Sequence, residues 1–248
     1  MVRVTSVALI IININMVSID TVYQRVLAIL NKENRGYMTP QEFNLLANQA
    51  QLEIFEQYFY DLNQFNRMGE ITNEHANIVK NIKEKINLFK KTGNLTYTNP
   101  SFTLPSDLYR LGTIFYNSGT EVEQIDQNEY LYINASPLTK PNTSRPVFIR
   151  EGNTVKVYPS TITSSLQASY VKSPKEVKWN YVEVSDDNGT TTSALYDSSS
   201  TVDFELHESE ETVLVYKVLA YAGLVIKQPE ISQVAEQKDA LKVQKEKS

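Results

Sequence analysis

Residues 39–65, TPQEFNLLANQAQLEIFEQYFYDLNQF, read as one long helix with a defined start, and the rest of the chain is ordered around it. Thr39 can cap the first turn, Pro40 suits the first helical position, and Glu42 stands where a capping-box acid reaches back to the cap amide. Phe43, Leu46, Ala47, Ala50, Ile54, Tyr58, Leu62 and Phe65 recur at steps of three or four and form an apolar stripe. Leu52, Phe55, Phe59 and Tyr60 lie off that stripe. A lone small bundle buries one face of each helix. This second, aromatic face therefore predicts another partner, either the protein's own β region or a neighbouring subunit.

Upstream, Ser18 or Asp20 can cap a first helix whose buried stripe is Val22, Val26, Ile29 and Leu30, with a stop at Asn34-Arg35-Gly36. Downstream, Gly69 ends the long helix, and a third helix is predicted through Ala76, Val79, Ile82, Ile86 and Phe89 to a stop at Gly93-Asn94. Together they predict an N-terminal helical bundle over residues 16–95. Residues 1–15, MVRVTSVALIIININ, precede a second methionine, Met16, and are expected to be an extension. Their functional reading is an arm that adds a strand to a neighbour, because Ile10, Ile12 and Ile14 alternate with Ile11, Asn13 and Asn15. The apolar run 7–12 is too short to span a membrane.

The texture changes at Leu95, and residues 96–206 read as a β-rich domain of short strands punctuated by turns. A strand is predicted over 108–116, a turn at Asn117-Ser118-Gly119, a short helix over 127–133, and a hairpin pairing 147–150 with 155–158 about Gly152-Asn153. A third strand, 166–171, is expected beside that hairpin, with weaker strands at 179–184, 194–196 and 202–204. In the last segment, 207–248, Glu208, Glu210 and Glu211 gather where a helix N-terminus favours negative charge. The helix that follows is apolar nearly all round from Val213 to Ile226, breaks at Pro229, and leads into a charged tail over 231–248. The predicted fold class is α+β: a helical bundle, an antiparallel sandwich-like middle, and a long C-terminal helix packing on the helical region, with an extended tail.

The composition narrows the chemistry. A net charge of -5 argues against a dedicated nucleic-acid binder, whose phosphate contacts need clustered Lys and Arg. With no cysteine, disulfides, thiol catalysis and Cys-based zinc sites are excluded. The only histidines, His75 and His207, fall on a polar helix side and among acids at a helix start, which predicts no Ser-His-Asp constellation. Asp186, Asn188 and Thr190 mimic the opening of a calcium loop, but Thr191 stands where glycine is needed and Asp197 where a bidentate glutamate is. No phosphate-cradling GxxxxGK[ST] is present. No catalytic residue, cofactor or metal is expected. The fifteen tyrosines, rings common at interfaces and in sheets, point instead to assembly.

Residues 18–59, SIDTVYQRVLAILNKENRGYMTPQEFNLLANQAQLEIFEQYF, resemble the N-terminal helices of virion structural proteins of crAss-like and related short-tailed bacteriophages, with Gly36-Tyr37-x-Thr39-Pro40-x-Glu42-Phe43-Asn44 the most specific part. LPSDLYRLGTIFY (104–116), SRPVFIREGNTVKVYPSTI (144–162) and ASYVKSPKEVKW (168–179) are similar to the β region of those proteins. VLVYKVLAYAGLVIKQPEISQVAEQKDA (213–240) is similar to their C-terminal helix and tail. The resemblance implies a ring or adaptor of the head-tail connector, stacked under the portal, with about twelve copies in a closed ring. Its implied partners are itself, the portal, other ring or tail proteins, and double-stranded DNA passing without specific binding. Its implied location is the virion, assembled in the host cytoplasm, with no membrane. On that reading the subunit interface is expected at Leu52, Phe55, Phe59, Tyr60, Leu214, Val218, Tyr221 and Val225, and the portal-docking tail at Ile231, Val234, Leu241 and Val243. The alternative is a tail-associated β-rich module that binds a host glycan or receptor.

Overall fold

A computed structural model describes residues 16–32, 38–67, 73–117, 119–185 and 191–225, together with 237, 238, 240 and 244. The protein is mixed α+β, with five α-helices and one large, mostly antiparallel sheet among the described residues. The chain divides into two compact units, residues 1–85 with 174–248, and residues 86–173.

The first unit holds α1 (Ile19–Lys32), α2 (Pro40–Arg67), most of α3 (Asn73–Asn87) and α5 (Glu211–Val225), and both α1 and α2 pack on α5. α2 begins as its sequence predicts. The Thr39 N–H donates to Glu42 Oε2 at 2.9 Å, and the Glu42 N–H donates to Thr39 Oγ1 at 3.3 Å, a reciprocal capping box. Phe43, Ala47, Ala50, Ile54, Tyr58 and Phe65 are buried along its stripe. On α1 the buried face is Ile19, Val22, Tyr23, Val26 and Leu30, whereas Ile29 is exposed, since one residue step turns the helix about 100° away from Leu30. Asp20 does not cap α1; its Oδ1 accepts the Trp179 indole N–H at 2.9 Å. Just before α5, a 3-10 turn (Glu208–Glu210) is capped by His207, whose Nδ1 accepts the Ser209 N–H. Glu210 is buried there, and Lys85 pairs with it at 2.6 Å.

Residues 174–206, expected in the β domain, belong to the helical unit. The reason is a ladder of side-chain amides along α2. Asn44 accepts the Trp179 N–H at 2.8 Å and donates to the Trp179 carbonyl at 3.2 Å. Asn48 does the same to Val177, at 2.8 and 3.0 Å. Gln51, itself buried, donates to the Lys175 carbonyl at 2.8 Å and accepts the Glu205 N–H at 3.1 Å. Four helical residues rise about 6 Å, close to the ~6.6 Å spanned by two extended ones. Amides at 44 and 48 can therefore address alternate residues of an extended segment running antiparallel to the helix. Trp179 is held further by rings, with centroids 4.4 Å from Tyr23, 5.9 Å from Tyr181 and 5.5 Å from Tyr196. Tyr181 and Tyr196 open and close a separate hairpin, β9 (Tyr181–Ser185) with β10 (Thr191–Tyr196). Residues 202–204 form no strand; Val202 makes an isolated bridge to Lys178.

The second unit is built on β1 (Lys90–Asn94), β2 (Thr96–Thr98), β3 (Ser101–Thr103), β4 (Leu108–Tyr116), β5 (Thr120–Gln124), β6 (Val147–Glu151), β7 (Thr154–Tyr158) and β8 (Leu166–Lys172). Their order is β1-β8-β4-β5-β6-β7-β3-β2, with β5 and β6 parallel and every other pair antiparallel. β1 and β2 stand at opposite ends of that order yet are joined by Leu95 alone, which brings the two ends of the sheet together. Leu95, Phe102, Ile114, Phe148, Val155 and Leu166 are among the residues of its core. Val147 and Ile149 face the other way and pack with Ile125 beneath Tyr130 and Ile133 of α4 (Gln127–Ala135). With both faces covered, Val147, Phe148 and Ile149 are buried in succession.

Two sequence expectations are corrected in this unit. The third helix stops at Asn87, and Gly93 and Asn94 lie in β1, where pairing with Ala168 and Gln167 replaces the helical pattern. β8 does not extend the β6–β7 hairpin but lies between β1 and β4, because the free edge of β7 is taken by β3. The hairpin itself forms where expected, with Gly152 at φ 59 in its turn.

Candidate interaction surfaces

The eight residues expected at a subunit interface fall into different surroundings. Phe55, Phe59, Leu214 and Val218 are buried in the chain, so they are core and offer no surface to a neighbour. An α5 apolar nearly all round is accounted for in the same way, since Val213, Leu214, Val215, Val218, Leu219 and Ala222 are all buried. Leu52 stays 39% exposed and Tyr60 66% exposed. The Tyr221 hydroxyl donates to Glu53 Oε2, and Lys217 Nζ donates to Glu53 Oε1 at 2.9 Å. Partial burial of the Glu53 carboxyl opposes its ionisation. The hydrogen bonds from Tyr221 and Lys217, with the Lys217 charge, outweigh that and hold its pKa below the ordinary value. The Val225 side chain and the tail residues Ile231, Val234, Leu241 and Val243 lie outside the described residues. The Lys238 ammonium lies 5.4 Å from the centroid of the Tyr216 ring.

Exposed apolar side chains also gather beyond the residues the sequence singled out. On α2, Leu45 joins Leu52, two turns away on one face, with Tyr60 two turns further on its flank. On the β9–β10 hairpin, Val182 opposes Leu195 across the strands, and Val184 follows on the same side. In the other unit, Leu131 and Tyr132 of α4 are exposed, and Leu138 just beyond is 90% exposed. A signal existed for α4. In QNEYLYINA the apolar residues Tyr130, Leu131, Tyr132 and Ile133 are consecutive, and a helix cannot bury four in a row against one partner.

The β unit also carries an open polar depression of about 680 Å³. Asn94, Asn117, Thr163, Ser164, Ser165 and Gln167, with the Tyr97 hydroxyl, are its polar side chains among the described residues, and these include no carboxylate, ammonium or imidazole. Among the described residues no three His, Cys, Asp or Glu side chains converge as a metal site would require. No described helix is long and apolar enough to cross a membrane. In comparisons with known proteins, no family model matches the chain and no curated protein shows significant sequence similarity to it.

Proposed function

We propose that this protein is a structural ring component of a phage head-tail connector, assembling with copies of itself beneath the portal and joining it to the tail. The observation that carries the assembly reading is the set of exposed apolar side chains on three elements, led by Leu45, Leu52 and Tyr60 on α2. Water-facing groups of this size mark interaction sites when they gather on one face. The connector identity rests on the resemblance of residues 18–59 and 213–240 to virion proteins of short-tailed phages. A bundle with a long C-terminal helix docked on it, and a tail over 231–248 reaching the portal, complete this reading. The net charge of -5 suits a wall past which DNA slides, since it adds no general attraction for phosphate.

Quantitative mass spectrometry of purified virions tests the proposal. Copy numbers matching the portal, about twelve per particle for a closed ring, support it. Absence from virions that contain portal overturns it.

A further inference from the structure

We propose that the polar depression of the β unit is a binding site for a neutral saccharide, a function separate from ring assembly. Its position is fixed by three crossing segments: the β1–β2 junction at Asn94 and Leu95, the end of β4 at Asn117, and the entry to β8 from Ser164 to Gln167. Asn117 at φ 48 and Ser165 at φ 62 are the non-glycine residues with positive φ among those described, and both line this depression. Left-handed backbone at serine is disfavoured and persists where the surroundings dictate it. Here the Asn117 N–H donates to the Ser165 carbonyl at 3.1 Å and locks the two turns together.

The ligand chemistry follows from the lining. Asn94 and Gln167 are cross-strand partners, and Gln167 Nε2 donates to Asn94 Oδ1 at 2.9 Å. That bond leaves the Asn94 amide NH2 and the Gln167 amide oxygen without a partner among the described residues, a donor and an acceptor side by side. Neighbouring hydroxyls of a sugar ring, each able to give and accept, satisfy such a pair together. Ser164 and Ser165 add hydroxyls. The Tyr97 ring, held against Phe102 with centroids 4.9 Å apart, supplies an aromatic surface for the apolar C–H face of a pyranose. A volume of about 680 Å³ lies within the range of small-ligand sites. A phosphate or acidic ligand would meet no cation in this lining. A peptide adding as a strand would need open backbone, but the Leu95 and Asn117 amides are already given to Leu166 and Ser165.

A printed array of neutral oligosaccharides, acidic oligosaccharides and Gly-Ser peptides, probed with the full chain, tests this. The expected result is retention on neutral oligosaccharides. In solution, Asn94→Ala and Gln167→Glu should then weaken binding of the best neutral oligosaccharide at least tenfold, with unchanged circular dichroism. If either variant misfolds, amide shifts of the wild-type chain on titration with that oligosaccharide decide, and they should move at residues 94–97, 117 and 163–167. No retention on the neutral spots, retention on acidic glycans or peptides alone, full affinity in both folded variants, or shifts confined elsewhere would overturn the proposal. None of these outcomes bears on whether the protein is found in virions, so this proposal and the ring reading fail separately.

Discussion

Gly112 shows how a single backbone position constrains the β unit. It sits in the irregular stretch of β4 between Leu111 and Ile114, where the pairing with β8 shifts register. A Cβ at this position would lie 2.6 Å from the Ser169 carbonyl oxygen, a backbone atom that cannot swing aside. Gly112→Ala is therefore expected to cost about 1–3 kcal/mol, the usual range for forcing an extra methyl into a filled space, measurable as a lowered urea midpoint. Asn48 makes the corresponding statement for the helical unit. Removing its amide in Asn48→Ala strands both polar groups of Val177, and about 2–3 kcal/mol should be lost, with Asn48→Asp recovering the acceptor half alone. Glu53 adds a pH dependence. Its pKa is lowered in the folded chain, so its contribution is full above the unfolded value of about 4.3 and disappears as pH falls through the lower folded value. Glu53→Gln should cost about 1 kcal/mol at neutral pH, kept small because the carboxylate side chain is 44% exposed. The gap from wild type should close below about pH 4, as followed by denaturant melts across pH.

At the level of elements, legibility tracked how local the cause is. The start of α2 was readable because Thr39, Pro40 and Glu42 settle it within one turn. The strand over 108–116 and the hairpin turning at Gly152 were readable for the same reason. What failed was partner choice. The pairing of β8 with β1 and β4 depends on which edge β3 has already occupied, and no short-range pattern encodes that. The amide ladder was missed because Asn44, Asn48 and Gln51 look like ordinary polar positions until residues 175–179 lie beside them. The aromatic face of α2 is part core and part surface, since Phe55 and Phe59 are buried within the chain while Leu45 and Leu52 stay exposed. Substituting Leu45, Leu52 and Tyr60 together by glutamate should leave thermal stability nearly unchanged and abolish self-association, as read by native mass spectrometry at rising concentration.

For the whole molecule, the division into two units has its own consequence. Residues 86–173 own a core running from Leu95 to Ala168 and a sheet whose ends meet at Leu95. A fragment of those residues is expected to fold cooperatively, with a single denaturant transition. The helical unit, by contrast, needs residues 174–206 to satisfy the amides of α2, so a fragment ending at residue 85 should not fold. The polar depression was invisible in the sequence because its lining comes from three separate stretches, at 94–97, 117 and 163–167. Ring assembly remains the central claim. A cryo-EM reconstruction of the unique vertex of the virion tests it most directly. The account predicts a closed ring below the portal in which the α2 face bearing Leu45, Leu52 and Tyr60 is covered by a neighbouring protein. A vertex without this chain, or a ring that leaves that face in water, would contradict it.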